Sequence, residues 1–245
     1  MKASAKKSAK KASGAVIDRY LPGSGNFGYR VVRYDLDLEY KVAINRLSGS
    51  ATITAVTLAQ LRTFTLDLSP ALTVGKMLVN GKRPAHFGCY GGKLHVGLAS
   101  ALPAGAELTI VVRYGGSPRP IRSLWGAIGF EELSDGVLVA GQPNGAASWF
   151  PCDDHPSGKA NYRIQISTES PYTVIANGAL VSRQAGSRRR FGRTSNPNRR
   201  RPTWPPYRSA CKRWSNRPTR RCRYGPPCPR GCSATSATTS GGSRK

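Results

Sequence analysis

Acidic residues are scarce in this 245-residue chain, 12 against 38 Lys and Arg, and the shortage is uneven. Positions 187–245 hold 17 Lys and Arg and no acid, and positions 1–14 hold five lysines and no acid. Between these ends 16 basic residues meet all 12 acidic ones, a net charge of +4 that is ordinary for a soluble domain. The formal +26 therefore belongs to the ends, where it makes nucleic acid a partner to weigh. Long apolar runs are missing as well. No stretch approaches the ~18 residues of a membrane span, so no membrane partner is expected. The opening MKASAKKSAKKASG has no apolar run after its lysines, which argues against a secretory leader and for a cytoplasmic protein. Histidine is rare: His86, His95 and His155 are the three, and none begins His-Glu-x-x-His.

What the middle of the chain has is alternation. In YRVVRYDLDLEYKV, from Tyr29, the residues Tyr34, Leu36, Leu38, Tyr40 and Val42 alternate with Asp35, Asp37, Glu39 and Lys41. A period of two is that of a strand with one face in the core. SGSATITAVTLA and TFTLDLS repeat it, with Phe64, Leu66 and Leu68 pointing one way. Asn80-Gly81 predicts a tight turn, because that dipeptide accepts positive φ. GGKLHVGL, ELTIVVRYGG, NYRIQIST and YTVIANGALV carry the β pattern to about Val181, and no helical stripe interrupts it. The pattern predicts an all-β fold, an antiparallel sandwich or saddle, over residues 16–186. Disordered segments flank it: a Lys/Ala/Ser tail at 1–15 and an Arg/Pro-rich basic tail at 187–245.

The second tail has no Leu, Ile, Val or Met in 59 residues, so it cannot build a core. It reads in three ways. An arginine-rich arm with interleaved aromatics would bind nucleic acid through phosphates and base stacking. Cys211, Cys222, Cys228 and Cys232 could form a metal or disulfide knot, but no CxxC pair or nearby His supports zinc. The third reading is a coding sequence translated out of frame. In a GC-rich gene the third codon bases are mostly G or C. Placed in mid-codon they yield Arg, Gly, Pro, Ala, Ser, Thr, Cys and Trp, and 51 of the 59 residues are of those types. RTSNPNRRRPTWPPYRSA, from Arg193, read two bases late with permissive wobble choices, can encode YEQPQPTATYLATVQIG, which alternates like a strand. The out-of-frame reading explains the composition best.

SWFPCDDHP, 148–156, gathers Cys152, Asp153, Asp154 and His155, groups that zinc sites and catalytic dyads use. Adjacent residues point apart along a strand or turn, so four neighbours do not converge on one ion. A Cys–His catalytic pair normally joins distant segments. Cys152 reads as a small buried hydrophobe, Asp153 and Asp154 as turn carboxylates bonding nearby backbone, and Cys89 and Cys152 as reduced thiols. His86 and His95 fall in or beside strands and read as structural. The cluster itself predicts architecture, with no catalytic or metal residue.

The longer stretch GQPNGAASWFPCDDHPSGKANYRIQIS resembles the signature that closes the N-terminal β domain of aminopeptidase N-type zinc metallopeptidases. That family has Gln or Glu, an Arg- or Trp-containing turn, Phe-Pro-Cys-x-Asp-x-Pro, Lys-Ala and a strand. Here these are Gln142, Trp149, Phe150, Pro151, Cys152, Asp154, Pro156, Lys159 and Ala160, with His155 where the family usually has Glu. The resemblance extends over about 29–186. It implies a saddle-shaped β domain that covers a zinc-binding catalytic domain, and a parent activity of metal-assisted removal of N-terminal residues from peptides. It implies that Gln142 contacts the substrate's free α-amino group. The zinc, the Met-Glu-Asn stretch and the His-Glu-x-x-His belong to that catalytic domain and not to these residues, so the chain reads as a truncated, inactive fragment without a cofactor of its own. The alternative is a β binding module with a basic nucleic-acid-binding arm.

Overall fold

A computed structural model describes residues 21, 23–124, 126–185, 189–200 and 212–213. All lie in the first of two compact units, 1–214 and 215–245. The expectations for 1–15, for the four tail cysteines and for most of the nucleic-acid arm at 187–245 lie outside the described residues.

The described chain is almost entirely strand. In order these are β1 Tyr29–Lys41, β2 Arg46–Thr57, β3 Leu61–Asp67, β4 Leu72–Val79, β5 His86–Tyr90, β6 Lys93–Leu102 and β7 Glu107–Gly116. Next come β8 Ile121–Ser123, β9 Gly126–Leu133, β10 Gly136–Ala140, β11 Ala160–Glu169, β12 Tyr172–Thr173 and β13 Ala179–Ala185. β14 Arg189–Arg200 and β15 Lys212–Arg213 complete the series. The helical content among the described residues is two short 3-10 turns, Val42–Ile44 and Ala146–Ser148. The predicted all-β class is what the molecule has.

Seven strands form the main sheet in the order β13-β14-β11-β1-β2-β7-β4, and β3-β6-β5 and β10-β9-β8 form two smaller sheets. Pairing is antiparallel except between β1 and β11, which run parallel. β1 shows how the sequence builds the core. Tyr34, Leu36, Leu38 and Tyr40 are buried, as their alternation predicts, but so are Tyr29 and Val31, of opposite parity. A bulge reconciles the two sets: Val31 faces Ala55 and Arg33 faces Thr54, which leaves Val32 as an extra residue. Three of the buried tyrosines each meet a phenylalanine edge-on from a different part of the chain. These are Tyr29 with Phe64 of β3, Tyr34 with Phe150, and Tyr40 with Phe130 of β9. Their hydroxyls are satisfied by Thr65 O, Asp153 N and Asn45 Oδ1, so the rings add apolar area without stranding a polar atom.

Three local expectations need adjustment. Val42 lies in the 3-10 turn after β1 rather than in the strand. YTVIANGALV is not one strand but β12 and β13, separated at Gly178, whose φ is +104. The sheet also does not stop at 186. β14, inside the segment read as a disordered tail, pairs with β11 and β13, and its register slips where Pro197 offers no N–H. Apolar composition missed it because strand pairing is made by backbone groups. The Asn80-Gly81 turn forms as predicted, with φ of +49 and +76 and Val79 paired to Lys82.

Candidate functional site

The SWFPCDDHP stretch runs through the core of the domain. Ser148 ends the second 3-10 turn, where its Oγ donates to Gly145 O at 2.6 Å and accepts from Phe130 N at 3.0 Å, tying the turn to β9. Trp149 O accepts from Tyr114 Oη at 3.0 Å. Phe150 is fully buried between Tyr34 and Trp149, with ring centroids at 5.5 and 4.7 Å. Cys152 pairs with Asp67 at the end of β3: Asp67 N donates to Cys152 O at 2.7 Å, and Cys152 N to Asp67 O at 3.1 Å. The thiol is free and without exposure, and burial pushes it well above its ordinary value, so it packs as an apolar group.

The two aspartates that follow serve backbone N–H groups. Asp154 Oδ2 accepts from Gly145 N at 2.9 Å and Ala147 N at 3.4 Å, which holds the loop before the signature. Asp153 Oδ1 accepts from Asn26 N at 2.7 Å, across 127 residues of chain. Asp67 joins them: its Oδ2 accepts from Gly25 N at 2.8 Å and from Asp154 N at 3.0 Å, and Lys93 Nζ pairs with its Oδ1. Of these three buried carboxylates only Asp67 is paired with the lysine. Burial raises Asp153 from the ordinary 3.8 to about 7 and Asp154 to about 6. The N–H donors pull both down and the neighbouring Asp67 pushes both up, so desolvation prevails.

Residues 24–27 form a strap across this cluster. Ser24 Oγ accepts from Asn144 Nδ2, Gly25 and Asn26 donate to the carboxylates, Lys93 reaches Gly25 O at 3.1 Å, and Phe27 meets the His155 ring edge-on at 5.6 Å. Gly25 has φ +78, and a Cβ there would lie 2.5 Å from His155 Cβ, so glycine is required twice over. Sequence reasoning missed the strap, Asp67 and Lys93. Period two places Asp67 on the solvent side of β3, and the bridge to Cys152 buries it.

The cluster does not fit a zinc ion. Cys152 is sealed in the core, and Asp153 and Asp154 are committed to N–H donors. His155 Nδ1 lies 2.7 Å from Ser157 Oγ. Among the described residues no three His, Cys, Asp or Glu side chains are placed to hold a metal. His86 begins β5, and His95 lies in β6 with its ring stacked on Tyr90. Gln142 stands apart. It is exposed, joined to Pro143 by a cis peptide, and three residues from Gly145, whose N–H Asp154 holds.

Residues 135–195 match the Peptidase M1 N-terminal domain. Curated proteins gave no match. Among solved structures, an M1 zinc metallopeptidase from Deinococcus radiodurans is similar at 23% identity and a TM-score of 0.68, over 74% of this chain and 42% of that one. A mutant of an M1 zinc metallopeptidase from the same organism, bound to a Tyr-Ser-Ala substrate, is similar at 23% identity and 0.69, with the same coverage. Yeast LTA4 hydrolase in complex with bestatin is similar at 19% and 0.56, over 72% of this chain and 28% of that one. The chain therefore spans less than half the length of each of these structures. The signature thus lies within the stretch that matches the Peptidase M1 N-terminal domain, and the fold built around it is similar to that of M1 zinc metallopeptidases of known structure.

Proposed function

We propose that this β domain is the amine-side wall of an aminopeptidase N-type zinc peptidase. The parent reaction is metal-assisted hydrolysis of the first peptide bond of a substrate with a free N-terminus. One observation carries the reading: the signature is buried and braced from residue 145 onward, while Gln142 just before it is exposed. A Gln side chain held on a fixed loop suits an ammonium, because its amide oxygen accepts N–H donors without adding a charge that water must solvate. Zinc would supply Lewis-acid activation of water in the partner domain. The described residues do not fit that ion, so no step is assigned to it here.

These 245 residues contain no His-Glu-x-x-His, and by this reading they hydrolyse nothing unaided. Most of the basic tail is read as out-of-frame sequence. Support comes from its composition and from the family match, which ends at residue 195, close to Arg193 where the shifted reading begins to alternate like a strand.

The test is kinetic. A gene corrected at the proposed frame break is expressed, and release of amino acids from unblocked and N-acetylated peptides is followed with zinc present. Activity confined to unblocked peptides is expected. Gln142→Ala should lower kcat/KM by about tenfold to a hundredfold, the worth of a charge-assisted hydrogen bond. Equal turnover of both peptides, or an unaffected Gln142→Ala enzyme, would refute the assignment.

A further inference from the structure

The strap at 24–27 is held to the domain chiefly by polar contacts. It belongs to no strand, and its one ring, Phe27, is 43% exposed and meets only the edge of His155 among the rings. Gly25 N and Asn26 N donate to Asp67 and Asp153, and Asn26 Nδ2 donates to Thr65 Oγ1 at 3.1 Å. Lys93 and Asn144 reach back to Gly25 O and Ser24 Oγ. A segment with so little apolar burial opens at less cost than the sheet beneath it.

Beneath the strap, Asp153 and Asp154 are 7% and 2% exposed, and neither has an ion-pair partner among the described residues. Lys93 of β6 attracts Asp153 without bonding it, because its partner is Asp67 of β3. The other titratable groups that act on Asp153 bring no positive charge: Asp67, Asp154, Cys152, Tyr29 and Tyr34 of β1, and Tyr162 of β11. His155, two residues on, bonds Ser157 and meets the strap at Phe27. A closed strap therefore buries a carboxyl group without a counter-charge, which favours its protonated form, whereas an open strap lets water solvate the anion.

We propose that residues 24–27 form a proton-operated latch, closed while the Asp153 carboxyl is protonated and released as it ionises. The sign follows from linkage. Burial raises Asp153 to about 7, so the closed state binds the proton more tightly than the open one. Opening then releases a proton, grows more favourable as the pH rises towards 7 and levels off above it. Gly23 and Ser24 also line an open cleft of about 1110 Å3, beside Asp67, Lys93, Asn144 and Asp154, so release of the strap widens that cleft. The latch requires neither the role given to Gln142 nor a catalytic domain, so either reading can fail without the other.

The experiment is native-state hydrogen exchange on the full chain from pH 5 to pH 8. It is read by mass spectrometry on a peptide covering 21–29 and corrected for the intrinsic exchange rate at each pH. Protection of the Gly25 and Asn26 amides should fall roughly fiftyfold to a hundredfold, most of it below pH 7. Low urea should leave that protection unchanged, because the opening exposes little surface, while the paired amides of β1 and β2 lose protection. Asp153→Asn keeps an acceptor for Asn26 and removes the charge, and should cut the fall to about tenfold or less, the share that Asp154 can add. Phe27→Ala should lower protection about fivefold at every pH and keep the slope. Three results overturn the proposal. One is protection that does not change with pH, and another is an undiminished fall in Asp153→Asn. The third is strap amides that follow those of β1 and β2 in protection and in urea response, which would mean that the strap opens only when the whole domain unfolds.

Discussion

Raising the pH from 5 to 8 should destabilise this domain, and the cause is the carboxylate cluster under the strap. Asp153 is raised to about 7 and Asp154 to about 6, against 3.8 for a solvated aspartate. A carboxyl whose folded value lies above its unfolded one holds its proton more tightly in the native state. Its contribution is complete below the unfolded value and is lost as the pH climbs through 6 and 7. Integrated from pH 8 down to pH 5, Asp153 alone contributes about 3 kcal/mol and Asp154 about 1 kcal/mol. The two share a cluster with Asp67, Lys93, Tyr34 and Cys152, so their sum is a ceiling and about 3 kcal/mol is the expected gain. At about 2–4 °C per kcal/mol for a domain of this size, the melting temperature should be roughly 6–12 °C higher at pH 5 than at pH 8. Thermal unfolding followed by far-ultraviolet circular dichroism at constant ionic strength reads this directly. Asp153→Asn should flatten the pH dependence, which separates the cluster from the general effect of charging the chain. A midpoint that is equal or lower at pH 5, or a slope unchanged in Asp153→Asn, would refute the reasoning.

Other parts of the account are open to simple tests. Gly25→Ala should cost about 2 kcal/mol or more, since it combines a left-handed backbone with a contact against His155, and urea unfolding will report it. Phe150→Ala removes a fully buried ring between Tyr34 and Trp149 and should cost about 3–5 kcal/mol in the same assay. In the native protein a maleimide should modify exposed Cys89 within minutes and leave Cys152 unmodified until urea is added, as peptide mapping of the labelled sites will show.

The strands were legible where one face of a strand meets the core and the other meets water. β1, β2, β3 and β7 alternate in the sequence as they do in burial. Legibility failed where tertiary contacts override local period. Val32 shifts the parity of β1, and nothing in YRVVRY marks it as the bulge. Asp67 sits on the polar phase of TFTLDLS, yet the bridge to Cys152 buries it. The parallel β1–β11 pair and the strap from Asn26 to Asp153 join positions more than a hundred residues apart, a relation that no window of sequence contains. The signature itself was readable as architecture because its chemistry is turn chemistry. Asp154 does serve N–H groups nearby, at 145 and 147, whereas Asp153 serves one far away. β14 escaped because its pairing is a backbone property that arginine-rich composition conceals.

The proposal that a peptidase-like N-terminal domain here runs into out-of-frame sequence is tested most directly by re-sequencing the gene across the codons for residues 178–212 and translating all three frames. The account predicts that a one-base shift near the codon for Arg193 opens a frame encoding a strand like YEQPQPTATYLATVQIG and, further on, His-Glu-x-x-His. If the sequence stands and no frame continues in that way, the account is contradicted and the arginine-rich tail is a genuine arm of the protein.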